Sequence, residues 1–400
     1  KIKVNFSHMN KYSAKSIRVI TKPFLMPFIL VGLLFPLWGF ANDITNPLVA
    51  AFKNILLISH FESSLVQFAF YGGYCLMAIP AAIFIKRFNY KQAILMGLAL
   101  YSIGCFLFIP AGKMMVFEAF LVAYFIMTCG LSFLETSANP YILSMGDEST
   151  ATQRLNFAQA FNPLGSLTGM FVAKEFILAQ LNPASETSRL ELAQNDPDAF
   201  SKIQQNDLNV IVDPYLILGI VVGVVFFIFL FSKLPGSKSS VESKLDLKPT
   251  LNRLLSNRHY KDGVIAQAFY VGAQIMCWTF IIQYGVNELG LTKAEAQSYN
   301  MVAMIIFVTS RFICTYILKF INPGQLLMIL AMGGGIFTLG AIFISGMVGI
   351  YSLVAISACM SLMFPTIYGI ALKGLGDDAK IGSAGLILAI GGGSLLPPLQ

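Results

Sequence analysis

Residues 131–143 read LSFLETSANPYIL. Glu135 stands in a stretch, Val116 to Met145, that is otherwise nearly free of charge, and Asn139-Pro140 follows it about one helical turn later. What a carboxylate does there depends on the solvent around it. The chain of 400 residues is 56% hydrophobic and 12% charged, with a mean hydropathy of +0.70. A soluble domain carries about 25% charged residues. The apolar residues come in blocks, several longer than the ~20 residues a helix needs to cross ~30 Å of hydrocarbon. The pattern is that of an all-α polytopic membrane protein, with Glu135 at bilayer depth.

Eleven apolar blocks fall at 23–52, 62–85, 92–111, 115–145, 154–181, 211–232, 262–287, 297–319, 322–347, 349–372 and 381–400. With the N-terminus inside, 20 of the 27 Lys and Arg residues lie on inner segments and six on outer ones, Arg311 falling within a block. The bias places the tail, residues 1–22, in the cytoplasm and accounts for the net charge of +7 without nucleic acid. Residues 182–210 form a polar outer excursion, and 233–260 form a basic cytoplasmic linker. The linker divides a six-span bundle (23–232) from a second bundle (261–400) holding spans 7–11. Two six-helix bundles with the twelfth helix absent from this chain is the expected architecture. Span 1 carries DITNP (43–47) and span 4 carries ETSANP (135–140), each an acid followed by Asn-Pro. That echo suits the repeats of secondary transporters, in which interrupted helices border a central site.

A charge at bilayer depth costs from ~3 to over 10 kcal/mol, so it must face a cavity, find a partner or be neutralised. Glu135 and Asp43 can therefore switch protonation as their access to water changes; a structural carboxyl bonding a neighbouring helix is the plainer reading of each. Asn156, Gln159 and Asn162 recur on one face of span 5, and Gln267, Tyr270, Gln274 and Trp278 on one face of span 7. Amides supply donors and acceptors, and aromatic rings cover C–H faces, which suits an uncharged polyhydroxylated ligand. Interhelical hydrogen bonding is the competing account of any single member. Arg311 reads as a snorkelling residue or a gate ion pair rather than a ligand contact. Gly165 and Gly169 read as close helix packing.

Other chemistry finds no foothold. The three histidines lie outside the blocks, all six cysteines lie inside them without a CxxC, and no GxxxxGK[ST] occurs. No cofactor or metal is implied, and energy must come from a gradient. Gly374-Leu375-Gly376-Asp377 fits the GxGD of intramembrane proteases, but no Tyr-Asp partner motif occurs. A sugar sensor or a channel remains as the alternative to a transporter.

The chain resembles the L-fucose permease branch of the major facilitator superfamily. The resemblance lies in LETSANP (134–140), RLNFAQAFN (154–162), AQAFYVGAQ (266–274), FPTIYG (364–369) and IGSAGLILAIGGG (381–393). It implies two six-helix bundles, alternating access, and proton-coupled monosaccharide uptake by a monomer in the cell membrane. By resemblance Glu135 takes the family's sugar-binding and proton-coupling role, and Asn162 a sugar contact. The remaining substrate contacts are expected at Asp43, Asn46, Asn139, Gln159, Gln267, Gln274 and Trp278, with Asp43 sharing the proton. Two departures stand out. Asp43 and Asn46 hold exchanged residue types relative to the family, and Phe364 replaces an expected tyrosine. They leave L-fucose, galactose, glucose or another hexose open.

Overall fold

The computed structural model describes residues 18–45, 48–235 and 247–395, which contain helices and turns but no strand. The first half begins with α1 (Leu25–Gly32), α2 (Leu34–Thr45) and α3 (Leu48–Leu56), followed by α4 (His60–Arg87), α5 (Tyr90–Phe106) and α6 (Phe108–Met114). It continues through α7 (Phe117–Ser144), α8 (Ala151–Gln159), α9 (Asn162–Val172), α10 (Glu186–Asn195) and α11 (Pro197–Phe231). The linker helix α12 (Leu247–Ser256) leads to α13 (Arg258–Asn287), α14 (Lys293–Ile317), α15 (Pro323–Phe343), α16 (Met347–Met360) and α17 (Met363–Leu372). Last come α18 (Ala379–Leu388) and α19 (Gly392–Leu395). Asn46, expected in the site, lies outside the described residues, as do the tail up to residue 17 and the linker stretch 236–246.

Nine helical stretches among the described residues are long and apolar enough to cross a membrane. The blocks at 154–181 and 381–400 are not among them. Proline explains the first: it has no N–H and cannot close the bond to the carbonyl four residues back. Pro163 breaks span 5 between α8 and α9 and leaves the Gln159 carbonyl without its helical donor. Span 11 turns into a tighter helix at Ala389–Gly391, within a Gly-rich run. Pro36, Pro110 and Pro365 follow similar breaks between α1 and α2, α5 and α6, and α16 and α17. Span 4 runs against expectation. α7 is continuous through Pro140, so Glu135 sits on an intact helix.

The excursion is also more ordered than its polarity suggests. α11 starts at Pro197, well before the apolar block, and Arg189 of α10 bonds Asp207 of α11 at 2.5 Å with both side chains buried. At the opposite end, Arg253 of α12 pairs with Asp378 at 2.7 Å. The guanidinium holds the Asp378 carboxyl below its usual range, outweighing the partial burial that acts the other way.

Large apolar side chains stand on the perimeter, with Phe231 81% and Phe343 78% exposed, as a lipid-facing surface requires. Inside, α2 and α9 lie backbone to backbone. A Cβ on Gly165 would collide with the Pro36 carbonyl, one on Gly39 with the Asn162 carbonyl, and one on Gly169 would stand 2.7 Å from the Phe40 carbonyl. The small residues thus act as close packing, which spares them any polar role. Overpacking costs about 1–3 kcal/mol. Gly165→Leu is expected to lower the thermal midpoint of the detergent-solubilised protein. Gly32→Leu, where an added Cβ meets nothing within 4 Å, should leave it unchanged; equal midpoints for the two variants would refute the close contact.

Candidate functional site

Between the halves lies a cavity of about 1780 Å³. Its walls reach Gln67 of α4, Lys174 beyond α9, Thr279 of α13 and Asn300 of α14, all toward the end that carries the 182–210 excursion. Phe68 and Met301, also on the wall, are 76% and 55% exposed. The cavity therefore leads out at the excursion end.

The other end, where the linker lies, is closed by hydrogen bonds that cross between the halves. Asn156 donates to the Thr366 hydroxyl at 3.1 Å, Gln153 to the Thr315 carbonyl at 3.2 Å, and the Gly374 N–H to Glu148 at 3.2 Å. Lys86 donates to Thr250 of the linker helix at 3.3 Å. The Phe161 and Phe312 rings meet edge to face across the same seam at 6.0 Å.

Arg311 adds a charged link to these. Its Nε donates to the Ser361 carbonyl at 2.5 Å and its Nη1 to the Gln159 carbonyl at 3.1 Å. Those are the two carbonyls whose helical donors Pro365 and Pro163 remove. Arg311 is 4% exposed, lines the cavity, and lies over the Phe307 ring at 4.6 Å. It does not snorkel, and among the described residues it makes no ion pair. The gate partner is backbone, because proline breaks on both halves place bare carbonyls within its reach.

Six of the expected site residues meet in the cavity: Asp43, Glu135, Gln159, Asn162, Gln274 and Trp278. Glu135 is half-buried and lies near the Tyr74 hydroxyl of α4. Asp43 lies within electrostatic range of the Tyr71 hydroxyl. Asn162, at the start of α9, donates to the Phe35 carbonyl at 3.3 Å. Trp278 donates to Ser357 at 3.2 Å and meets Phe307 edge to face.

Two expected members do not reach the wall. Asn139, fully buried one turn below Glu135, accepts from the Gln159 amide at 3.0 Å. Gln267, also fully buried, lies two turns below Gln274, and neither atom of its amide has a hydrogen-bond partner among the described residues. Tyr270 bonds the Met360 carbonyl at 2.9 Å, and Asn156 faces the seam. The stripes on spans 5 and 7 are real faces, but only their excursion-side members line the cavity.

Sequence reasoning missed the α4 face, where Gln67, Tyr71 and Tyr74 recur at helical spacing and all line the cavity. It also missed Trp38 and Asn300, cavity residues whose indole N–H and amide oxygen are buried without a partner among the described residues. The wall thus joins carboxylates, amides and aromatic rings, a surface suited to hydroxyls on one side and C–H faces on the other.

Comparison with known proteins places this architecture. The model of the Major Facilitator Superfamily matches residues 31–396, and the chain belongs to that superfamily. It is 53% identical to the L-fucose-proton symporter of Haemophilus influenzae over 96% of this chain and 90% of the relative. It is 32% identical to a glucose/galactose transporter of Brucella abortus, over 92% of this chain and 85% of that one. The crystal structure of a superfamily transporter, FucP, in the outward conformation superposes with a TM-score of 0.86 at 34% identity, covering 94% of this chain and 91% of that one.

The depth order of the span-7 stripe can be read chemically. In a Cys75→Ser background, Gln274→Cys should react with a membrane-impermeant maleimide added at the excursion face. Gln267→Cys should be protected at least tenfold. Equal labelling would contradict the placement of Gln267 below the floor.

Proposed function

We propose that this chain is a proton-coupled monosaccharide symporter, working by alternating access and seen here open to the outside. The observation that carries the reading is a half-buried glutamate, near a tyrosine, in a one-ended cavity lined with amides and indoles. A carboxyl at that depth is costly as an anion and gains by taking a proton. A channel needs a path through both ends, and the cross-half bonds at the linker end argue against one. The 53% identity to an L-fucose-proton symporter supports L-fucose, and the glucose/galactose transporters among the relatives keep related hexoses in the class.

In this reading Glu135 carries the proton, with Asp43 as the second carboxylate of the same cavity. Gln159, Asn162 and Gln274 bond sugar hydroxyls, and Trp278 covers an apolar face of the ring. Asn139 supports Gln159 from below. The Lys and Arg bias puts the linker end in the cytoplasm and the excursion outside, in the inner or plasma membrane. The working unit is a monomer, since each half lines the cavity and no second copy is needed.

Glu135→Gln keeps the shape and the hydrogen-bonding capacity of the site but cannot ionise. It should abolish accumulation of radiolabelled L-fucose or D-galactose in proteoliposomes while leaving counterflow, which needs no net proton cycle. Accumulation against a gradient at the wild-type rate would refute the assignment. Gln274→Ala should weaken sugar binding by about 1–3 kcal/mol, the cost of a lost buried hydrogen bond. Unchanged affinity in a folded protein would return Gln274 to helix packing.

A further inference from the structure

The seam beneath the cavity is held by Arg311 in an arrangement with a particular weakness. The guanidinium stays protonated and offers five N–H donors in one plane. Two of its nitrogens are spent on backbone carbonyls, Ser361 in its own half and Gln159 in the other. Parting the halves at the linker end must break the Gln159 bond. A hydrogen bond to a charged group is stronger than one between neutral groups, and a buried charged donor left bare is costly. The same side chain lines the cavity floor, and so do Gln159 and Phe307 on either side of it. A hydroxyl of a ligand resting on that floor is therefore placed to take over the donor that Gln159 gives up.

We infer that Arg311 is a ligand-released latch: its bond to the Gln159 carbonyl keeps the empty carrier shut at the linker end, and a sugar hydroxyl that replaces the carbonyl frees the halves to part. The inference rests on the sugar-transport reading of the cavity. It assigns Arg311 a gating contact with the sugar, distinct from carrying the proton, and it gives the two prolines a purpose. Pro163 keeps the Gln159 carbonyl free for the latch, and Pro365 keeps the Ser361 carbonyl free to anchor it. In a proton symporter such a latch is what stops an unloaded, protonated carrier from cycling and leaking protons.

The test separates latch from fold. Purified protein in proteoliposomes containing a pH-sensitive dye is given an inward proton gradient, with and without L-fucose or D-galactose. Wild type is expected to take up protons only with sugar. Arg311→Gln should admit protons without sugar at a rate at least tenfold above wild type. In the Cys75→Ser, Gln267→Cys background it should also expose residue 267 to maleimide from the linker face. Pro163→Ala, which restores an N–H to the Gln159 carbonyl and leaves the charge in place, should reproduce both effects; it decides the matter if Arg311→Gln does not fold. Sugar-coupled wild type with variants that stay tight and unlabelled would overturn the latch while leaving the transport reading intact. Wild type that moves neither sugar nor protons would overturn both.

Discussion

A buried guanidinium must be given acceptors, because it cannot shed its proton. In this chain the acceptors are two main-chain carbonyls, each left without its helical donor by a proline four residues later. Membrane helices tolerate proline when a neighbouring helix satisfies the freed group. Here one side chain on α14 satisfies a carbonyl from each half. That bridge crosses the seam at the cavity floor, where the buried cores of the two halves also join. The other cross-half bonds, through Asn156, Gln153 and Glu148, widen the seal around it.

The two halves contribute unequally to the packing. The larger buried core lies in the first half, and at the linker end it continues into Tyr368, Leu372, Ile381 and Leu386 of the second. The second half's own core is smaller and gathers around Tyr270, Ile281, Phe307 and Ile350. α15 stands outermost, only 6% of its apolar window being buried, so lipid rather than protein covers it. Joining the cores at one end and not the other produces a cleft with a floor.

Much of this was legible in the residues. Blocks of apolar sequence located nine spans, and the isolated acids Glu135 and Asp43 marked the cavity because no other solvent at that depth would accept them. What periodicity could not supply was depth. Gln267 and Gln274 share a helical face, and only the tertiary structure shows that one lies below the floor. Span 5 looked like one helix because hydropathy does not register a missing N–H; Pro163 did, had it been weighed. Arg311 was misjudged for a related reason. Its partners are backbone carbonyls, which leave no side-chain signature, although the prolines that free them are plain in the sequence. The Gln67, Tyr71 and Tyr74 face of α4 needed only the test already applied to span 7.

Below the floor, the closed seam holds polar groups with no partner among the described residues: both ends of the Gln267 amide, the Asn139 Nδ2 and the Asn156 Oδ1. Each such group costs roughly 1–3 kcal/mol when dry. Water admitted from the linker side would recover that cost, so the seam is held shut against its own hydration. The form closed at the linker end thus carries a cost within its own seam. The guanidinium's hold on the Gln159 carbonyl and the unmet amides pull in opposite directions across the same seam.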